Sequence, residues 1–250
     1  MRVEAIKVVR SGRVILDDVT VEAQAGRVTG VLGPNAAGKT TLLRTMVGLI
    51  KPDAGSIRLD GRSISNMRAM ERARRIGLVP QRFRSDVPFV VHEVVSMGAR
   101  QRGGMESNAA VEQAIDACQL SEQANRPFAN LSVGQQQRVV IARALAQVSS
   151  PGVLILDEPL AALDLKYAAT ILSLLKARAA CGDTVIMSLH DLGLASSICD
   201  EAWLLDQGRL VAAGDPSQVL AEDQLETVYG AKFERLQRSD GSDWIIPKTT

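Results

Sequence analysis

The chain has 250 residues, 46% of them hydrophobic, and a formal net charge of +1. That is enough apolar chain for a sizeable core in one or two domains, and it excludes a global basic field aimed at nucleic acid or an anionic membrane. The three cysteines (Cys118, Cys181, Cys199) are too far apart for a metal cluster or a disulfide framework, which fits a reducing compartment, and the two histidines cannot form a three-histidine metal site.

The N-terminal MRVEAIKVVRSGR has no apolar run of the signal-peptide kind. Val3–Val9, Val14–Leu16 and Val19–Val21 read as short β-branched strands ended by Gly26. Val28–Leu32 is an apolar strand that runs straight into Gly33, and a helix is expected over Thr40–Leu49, with Leu42, Leu43 and Met46 on one side. After the turn Lys51-Pro-Asp-Ala-Gly55 comes a strand at Ser56–Leu59, which suggests a small antiparallel layer beside the main sheet. Residues 66–75 form an arginine-rich helix with a solvated face, and Ile76–Val79 is a buried strand that ends in Pro80-Gln81.

Val94–Ala129 reads as a helical insertion interrupted by the polar stretch Arg100–Gly104. Ser132 is the expected N-cap of a helix running through Ala146, with Gln135 in the capping-box position. Val153–Leu156 is fully apolar and ends in Asp157-Glu158-Pro159. Leu165–Ala180 and Leu192–Ile198 are helices on either side of the strand Thr184–Ser188. Ala202–Leu205 and Arg209–Val211 are strands joined by Asp206-Gln207-Gly208, and Pro216–Tyr229 is a helical tail followed by polar residues. Two of the cysteines are expected on helices as small apolar residues. No run of about 18 apolar residues is long enough to cross a bilayer. Strands alternating with helices give an α/β fold.

The chemistry concentrates at residues 33–41, GPNAAGKTT, which complete the pattern G-x-x-x-x-G-K-[ST] between a strand and a helix. Gly33 and Gly38 let the backbone turn tightly, so that N–H groups of the loop (Gly33, Pro34, Asn35, Ala36, Ala37, Gly38) meet phosphate oxygens, proline excepted. The helix start at Lys39, Thr40 and Thr41 adds a positive end. Lys39 is expected on the β- and γ-phosphates and the Thr40 hydroxyl on Mg²⁺. Ala36 stands where another glycine is expected, and is harmless there if its φ is negative. Asp157 ends an apolar strand, as a Mg²⁺-holding acid does, and Glu158 is the candidate base for the attacking water. Gln81 at a strand end is a candidate to orient water or touch the metal. His190, after the next strand, is a candidate for the γ-phosphate.

With these residues in this order, the chain resembles the nucleotide-binding subunits of ABC transporters over essentially its whole length. Gly33–Thr41 matches Walker A, Gln81 the Q-loop, Leu131-Ser132-Val133-Gly134-Gln135 the signature loop and Val153–Glu158 Walker B. Ala162-Leu163-Asp164 matches the D-loop and His190 the switch histidine.

The resemblance implies a P-loop core of ABC type with a mixed sheet, an antiparallel β part at 1–27 and 56–65, a helical part at 88–150, and the remaining 28–55, 66–87 and 151–250 as nucleotide-binding core of a single domain, 1–250. It implies ATP and Mg²⁺ as cofactors, with Thr40, Gln81 and Asp157 on the metal and Lys39, Gln81, Glu158 and His190 in catalysis. It also implies a head-to-tail dimer in which Ser132, Gly134 and Gln135 of a second copy close each site. Two departures stand out. Val133 replaces a signature glycine and is strained if its φ is positive. Arg10 stands where the family often has an aromatic that stacks on adenine.

Pro88–Gly98, Asp164-Leu165, His190–Ala195 and the tail Val211–Gly230 are similar to ATPases of bacterial importers for iron–siderophore complexes, haem and cobalamin. For such a subunit the resemblance implies a polytopic permease, an extracytoplasmic substrate-binding protein reached only through it, and a place on the cytoplasmic face of the bacterial membrane. Val87–Val91 with Val94-Val95 is either permease interface or subdomain core. An importer for another solute (a metal ion, an amino acid), a soluble ABC ATPase and an ATP-binding regulatory subunit remain open. Glu158 and His190 speak against the last, and the absence of duplicated domains or long insertions speaks against the soluble one.

Overall fold

The computed structural model describes the chain except residues 82, 84–87, 101, 103, 238–242 and 249–250. It divides into two compact units, Met1–Asn66 with Ile186–Thr250, and Met67–Val185.

The first unit opens with β1 (Arg2–Arg10) and β2 (Arg13–Glu22), followed by β3 (Val28–Leu32), α1 (Lys39–Met46), β4 (Ala54–Leu59) and the two-residue β5 (Arg62–Ser63). The order β2-β1-β4-β5 makes the antiparallel layer expected from the sequence. Val14–Leu16 and Val19–Val21 belong to one strand, not two. β1 buries Val3, Ile6 and Val8 and β2 buries Leu16, Val19 and Val21; the alternation is broken in each strand by one extra residue, at Ala5 (φ 49) and Asp18 (φ 56), where the register shifts. Gly55 (φ 87) is needed here, since a Cβ would lie 2.4 Å from the carbonyls of Glu4 and Ala5.

The second unit holds α2 (Ala69–Arg75), β6 (Ile76–Val79), α3 (Val91–Ala99), α4 (Gly104–Ala117), α5 (Val133–Gln147), β7 (Val153–Leu156) and α6 (Leu165–Ala180); β8 (Thr184–Ser188) runs across its end. α2 buries none of its residues, as a solvated arginine-rich face requires. β6 and β7 pair in parallel, Ile76 opposite Val153 through Val79 opposite Leu156, and the ladder ends with Asp157 N–H on Val79 O at 2.8 Å. All four residues of β7 are buried, so it reads as a continuous apolar run.

The expected insertion is helical, with α3, α4 and α5 packed on one another. Val91, Val94 and Val95 are buried in its core, which removes them from any docking surface; Val87 lies outside the described residues. Arg138 of α5 donates to Cys118 O (2.8 Å) and Gln119 O (2.7 Å), and its guanidinium lies 3.8 Å from the ring centre of Tyr167. A buried cation is tolerable only with such partners.

The chain returns to the first unit through α7 (Leu192–Ile198), β9 (Glu201–Asp206), β10 (Arg209–Gly214), α8 (Pro216–Val219), α9 (Glu222–Tyr229), β11 (Phe233–Gln237) and β12 (Asp243–Pro247). β3 pairs with β9 in parallel and β9 with β10 antiparallel, which is the mixed sheet. Trp203, on β9, is fully buried. The tail is two helices rather than one, and the hairpin β11–β12 follows where only polar residues were expected. The cysteines are free, and none is inside a helix: Cys118, Cys181 and Cys199 each follow the last helical residue directly. Among the described residues no helix is long and apolar enough to cross a membrane.

Candidate functional site

In the first unit the site begins where β3 ends. Gly33 takes φ 138 and Gly38 φ 102, both beyond the reach of ordinary L-residues. Space excludes a side chain as well. A Cβ on Gly33 would lie 2.1 Å from Leu205 O, and one on Gly38 2.8 Å from Leu16 Cδ2 and 3.1 Å from Ile15 O. The loop is pinned by Ala37 N–H on Pro34 O (3.3 Å) and by Gly208 N–H on Ala37 O (3.0 Å), so the β9–β10 turn is its neighbour.

Asn35 and Ala36 are exposed at the loop tip, and Thr40 and Thr41 are half-buried at the start of α1. Ala36 has φ 65, in the left-handed region, which corrects the expectation that a negative φ would make alanine harmless there. The conformation costs about 1–2 kcal/mol relative to glycine's freedom.

Lys39 is only 6% exposed, and its ammonium donates to the carbonyls of Gly33 (2.6 Å) and Pro34 (2.9 Å). A cation is therefore held inside the turn of the loop. Tyr229 adds a contact that sequence reasoning missed: its hydroxyl accepts the Gly33 N–H at 3.1 Å, and burial pushes its pKa up to about 12. The tail sequence Tyr229-Gly230 gave a family likeness but no hint of this bond.

His190 is exposed just after Leu189, whose N–H bonds Val31 O at 3.2 Å, and before Asp191, whose carboxylate caps α7 through Leu194 N–H at 2.8 Å. Arg10 donates to Val9 O (2.7 Å) and Lys51 O (3.2 Å) and lies 3.5 Å from the Asp53 carboxylate. Its guanidinium is thus tied to the neighbouring turn.

In the second unit Asp157 is 2% exposed at the end of β7. Glu158 follows with φ 50, a left-handed position that a non-glycine residue holds only when its surroundings fix it. The Gln81 side-chain amide donates to Glu158 Oε2 at 2.8 Å. The next turn is held by Gln137, buried on α5, whose amide donates to Pro159 O at 3.3 Å. Gln137 was not singled out from the sequence; it is the third glutamine of a run, and its burial is invisible there.

The signature loop is a helix start. Ser132 Oγ accepts Gln135 N–H (3.3 Å) and Gln135 Oε1 accepts Ser132 N–H (3.0 Å), the expected capping box. Val133 and Gly134 are then the first amides of α5 without an intrahelical acceptor, an anion-receptive arrangement. Val133 is helical with 72% of its surface exposed and is not among the residues of positive φ, so the strain conceivable at this position is absent. Gly134 is the glycine that matters, since a Cβ there would lie 2.8 Å from Ala162 O of the D-loop.

Among the described residues no three His, Cys, Asp or Glu side chains gather as a metal site. Asp157, buried at the end of β7, is a single carboxylate of the kind that Mg²⁺ takes beside phosphates and waters.

Residues 16–161, more than half of the chain, match the ABC transporter family. The chain therefore belongs to that family, as an ATP-binding cassette ATPase. It is 38% identical over 253 residues to the hemin import ATP-binding protein HmuV of Rhodococcus jostii (strain RHA1), covering 99% of this chain and 86% of that protein. It is 42% identical over 233 residues to the HmuV of Streptomyces coelicolor (strain ATCC BAA-471 / A3(2) / M145), covering 92% and 82%. Among solved structures, a chain of an inward-facing ABC transporter described as of metal-chelate type superposes with a TM-score of 0.83 at 26% identity, covering 99% of this chain and 96% of that one. The dimeric ATP-binding cassette MJ0796, in a post-hydrolysis state with ADP and Pi, superposes with a TM-score of 0.76 at 28% identity, covering 86% and 98%.

Proposed function

We propose that this chain hydrolyses ATP to drive import of haem or a chemically related iron chelate through a membrane permease. The cargo reading is carried by one observation, the near full-length likeness to hemin import ATP-binding proteins. Likeness to a transporter of metal-chelate type supports the wider class.

In this reading residues 33–41 take the triphosphate. Backbone amides of the loop and the start of α1 receive phosphate oxygens, and Lys39 neutralises charge on the β- and γ-phosphates. Thr40, Asp157 and Gln81 are the residues that would hold Mg²⁺, which when bound offsets charge on those same oxygens. Glu158 takes a proton from the attacking water, with Gln81 fixing its carboxylate. His190 serves the γ-phosphate. Ser132, Gly134 and Gln135 receive the γ-phosphate of the other copy in a head-to-tail dimer, and the dimeric ATP-binding cassette relative supports that assembly. The chain acts as a single domain, 1–250, with an antiparallel part at 1–27 and 56–65 and a helical part at 88–150. It works at the cytoplasmic face of the membrane, held there by the permease, with a substrate-binding protein on the other side.

The test is growth of a deletion strain with haem as the sole iron source. Complementation by the unmodified gene and failure by its Lys39→Ala variant are expected. Unimpaired growth of the deletion strain on haem, together with a defect on another solute, would move the cargo elsewhere.

A further inference from the structure

Gly33 is the point where the chain leaves the β3 ladder and turns into the loop. A buried N–H at such a departure needs an acceptor from elsewhere, and the one present comes from 196 positions later in sequence, the Tyr229 hydroxyl at 3.1 Å. Tyr229 is the last residue of α9, and its position there is fixed from both sides. Gly230 closes the helix at φ 66, with its N–H on Glu226 O at 2.9 Å. The ring stands edge-on to Phe233, with centroids 5.7 Å apart and planes at 70°. Phe233 is buried and opens β11, which pairs with β12.

The two peptide groups flanking Gly33 are thus each held by a side chain, Tyr229 on the N–H before it and Lys39 on the carbonyl after it. A bound triphosphate draws on the donors of Lys39. It makes no such demand on Tyr229. The first glycine of the loop, already lacking room for a side chain against Leu205 O, then keeps its orientation through the tyrosine hydroxyl.

We propose that Tyr229 is a positioning residue of the phosphate loop, by which the C-terminal helix α9 sets the affinity of the loop for a nucleoside triphosphate. The proposal rests on the reading of residues 33–41 as the triphosphate site. It goes beyond that reading by assigning part of the loop's affinity to a residue outside the Walker, Q-loop, signature, D-loop and switch motifs.

The test is Tyr229→Phe in the full-length protein, which keeps the ring against Phe233 and removes the acceptor. Amide exchange in peptides spanning residues 28–41 accelerates, while peptides of α5 do not change. Affinity for MgATP falls about two- to tenfold, the worth of one hydrogen bond. KM for ATP rises in step, and kcat at saturating ATP is unchanged. Phe233→Leu, which loosens the ring contact that fixes Tyr229 but keeps the hydroxyl, lowers ATP affinity by clearly less than Tyr229→Phe. Unchanged exchange or unchanged affinity in Tyr229→Phe would overturn the proposal, as would an equal loss in Phe233→Leu. Lys39→Ala is measured beside them. If it binds ATP normally, the triphosphate reading itself fails; if it does not bind while Tyr229→Phe does so normally, only the role of Tyr229 fails.

Discussion

The Gln81 amide donates to the Glu158 carboxylate at 2.8 Å across 77 positions of sequence. The bond joins the residue just past β6 to the one just past β7, and it holds a carboxylate whose own backbone is in the left-handed region. Gln81→Ala frees that carboxylate and should lower kcat about tenfold, less than the 10²–10⁴ attached to a general base itself. Gln81→Glu replaces the donor with a second acceptor facing the Glu158 carboxylate and should lower kcat at least as far. An unchanged kcat in both variants would separate Gln81 from the base.

Gly33→Ala places a Cβ at 2.1 Å from Leu205 O with φ 138. Backbone strain of about 1–3 kcal/mol adds to that overlap. ATP binding should be lost, and denaturant unfolding should show a drop larger than the backbone term alone.

Ala36→Gly acts in the opposite direction. At φ 65 glycine relieves the left-handed strain while giving back some chain entropy, for a net gain of about 0.5–1 kcal/mol. A loss of stability in urea unfolding would contradict the assigned conformation.

Val133→Gly restores the residue usual in the signature loop. Because Val133 is helical and unstrained, the change should cost about 0.5 kcal/mol of helix propensity and leave ATPase turnover unchanged. A large rise in turnover would mean that valine limits the loop after all.

The buried Cys118 thiol and Tyr229 hydroxyl are both pushed up to about 12, chiefly by burial, from 9.0 and 10.0. The unfolded chain therefore loses these protons first as pH rises. The stability they confer is fully present below about pH 9 and falls through pH 12. Cys118→Ala should flatten the part of that decline that begins near pH 9, read as unfolding free energy at pH 8 and pH 10.5.

Much of this architecture was legible because it depends on local pattern. The apolar runs Val28–Leu32, Ile76–Val79 and Val153–Leu156 are buried strands, and Leu165–Ala180 and Thr184–Ser188 have the expected bounds. The capping box of Ser132 and Gln135 follows from their spacing alone. What escaped depends on contacts far apart in sequence. The sign of φ at Ala36 is set by the turn it sits in. The tail helix breaks at Leu220-Ala221, without a proline or glycine to announce it. The hairpin β11–β12 was missed although Phe233 and Ile245 are among its buried positions. The bond from Tyr229 to Gly33 has no local signature at all.

The most direct test of the central claim is ATP turnover by the chain assembled with its permease in proteoliposomes, with the substrate-binding protein and haem added, for the unmodified protein and for Glu158→Gln. Hydrolysis is expected to be stimulated by haem and to fall by at least about a hundredfold in Glu158→Gln, while that variant still binds ATP. Hydrolysis that persists in Glu158→Gln, or an assembled complex that does not hydrolyse ATP in either form, would contradict that claim.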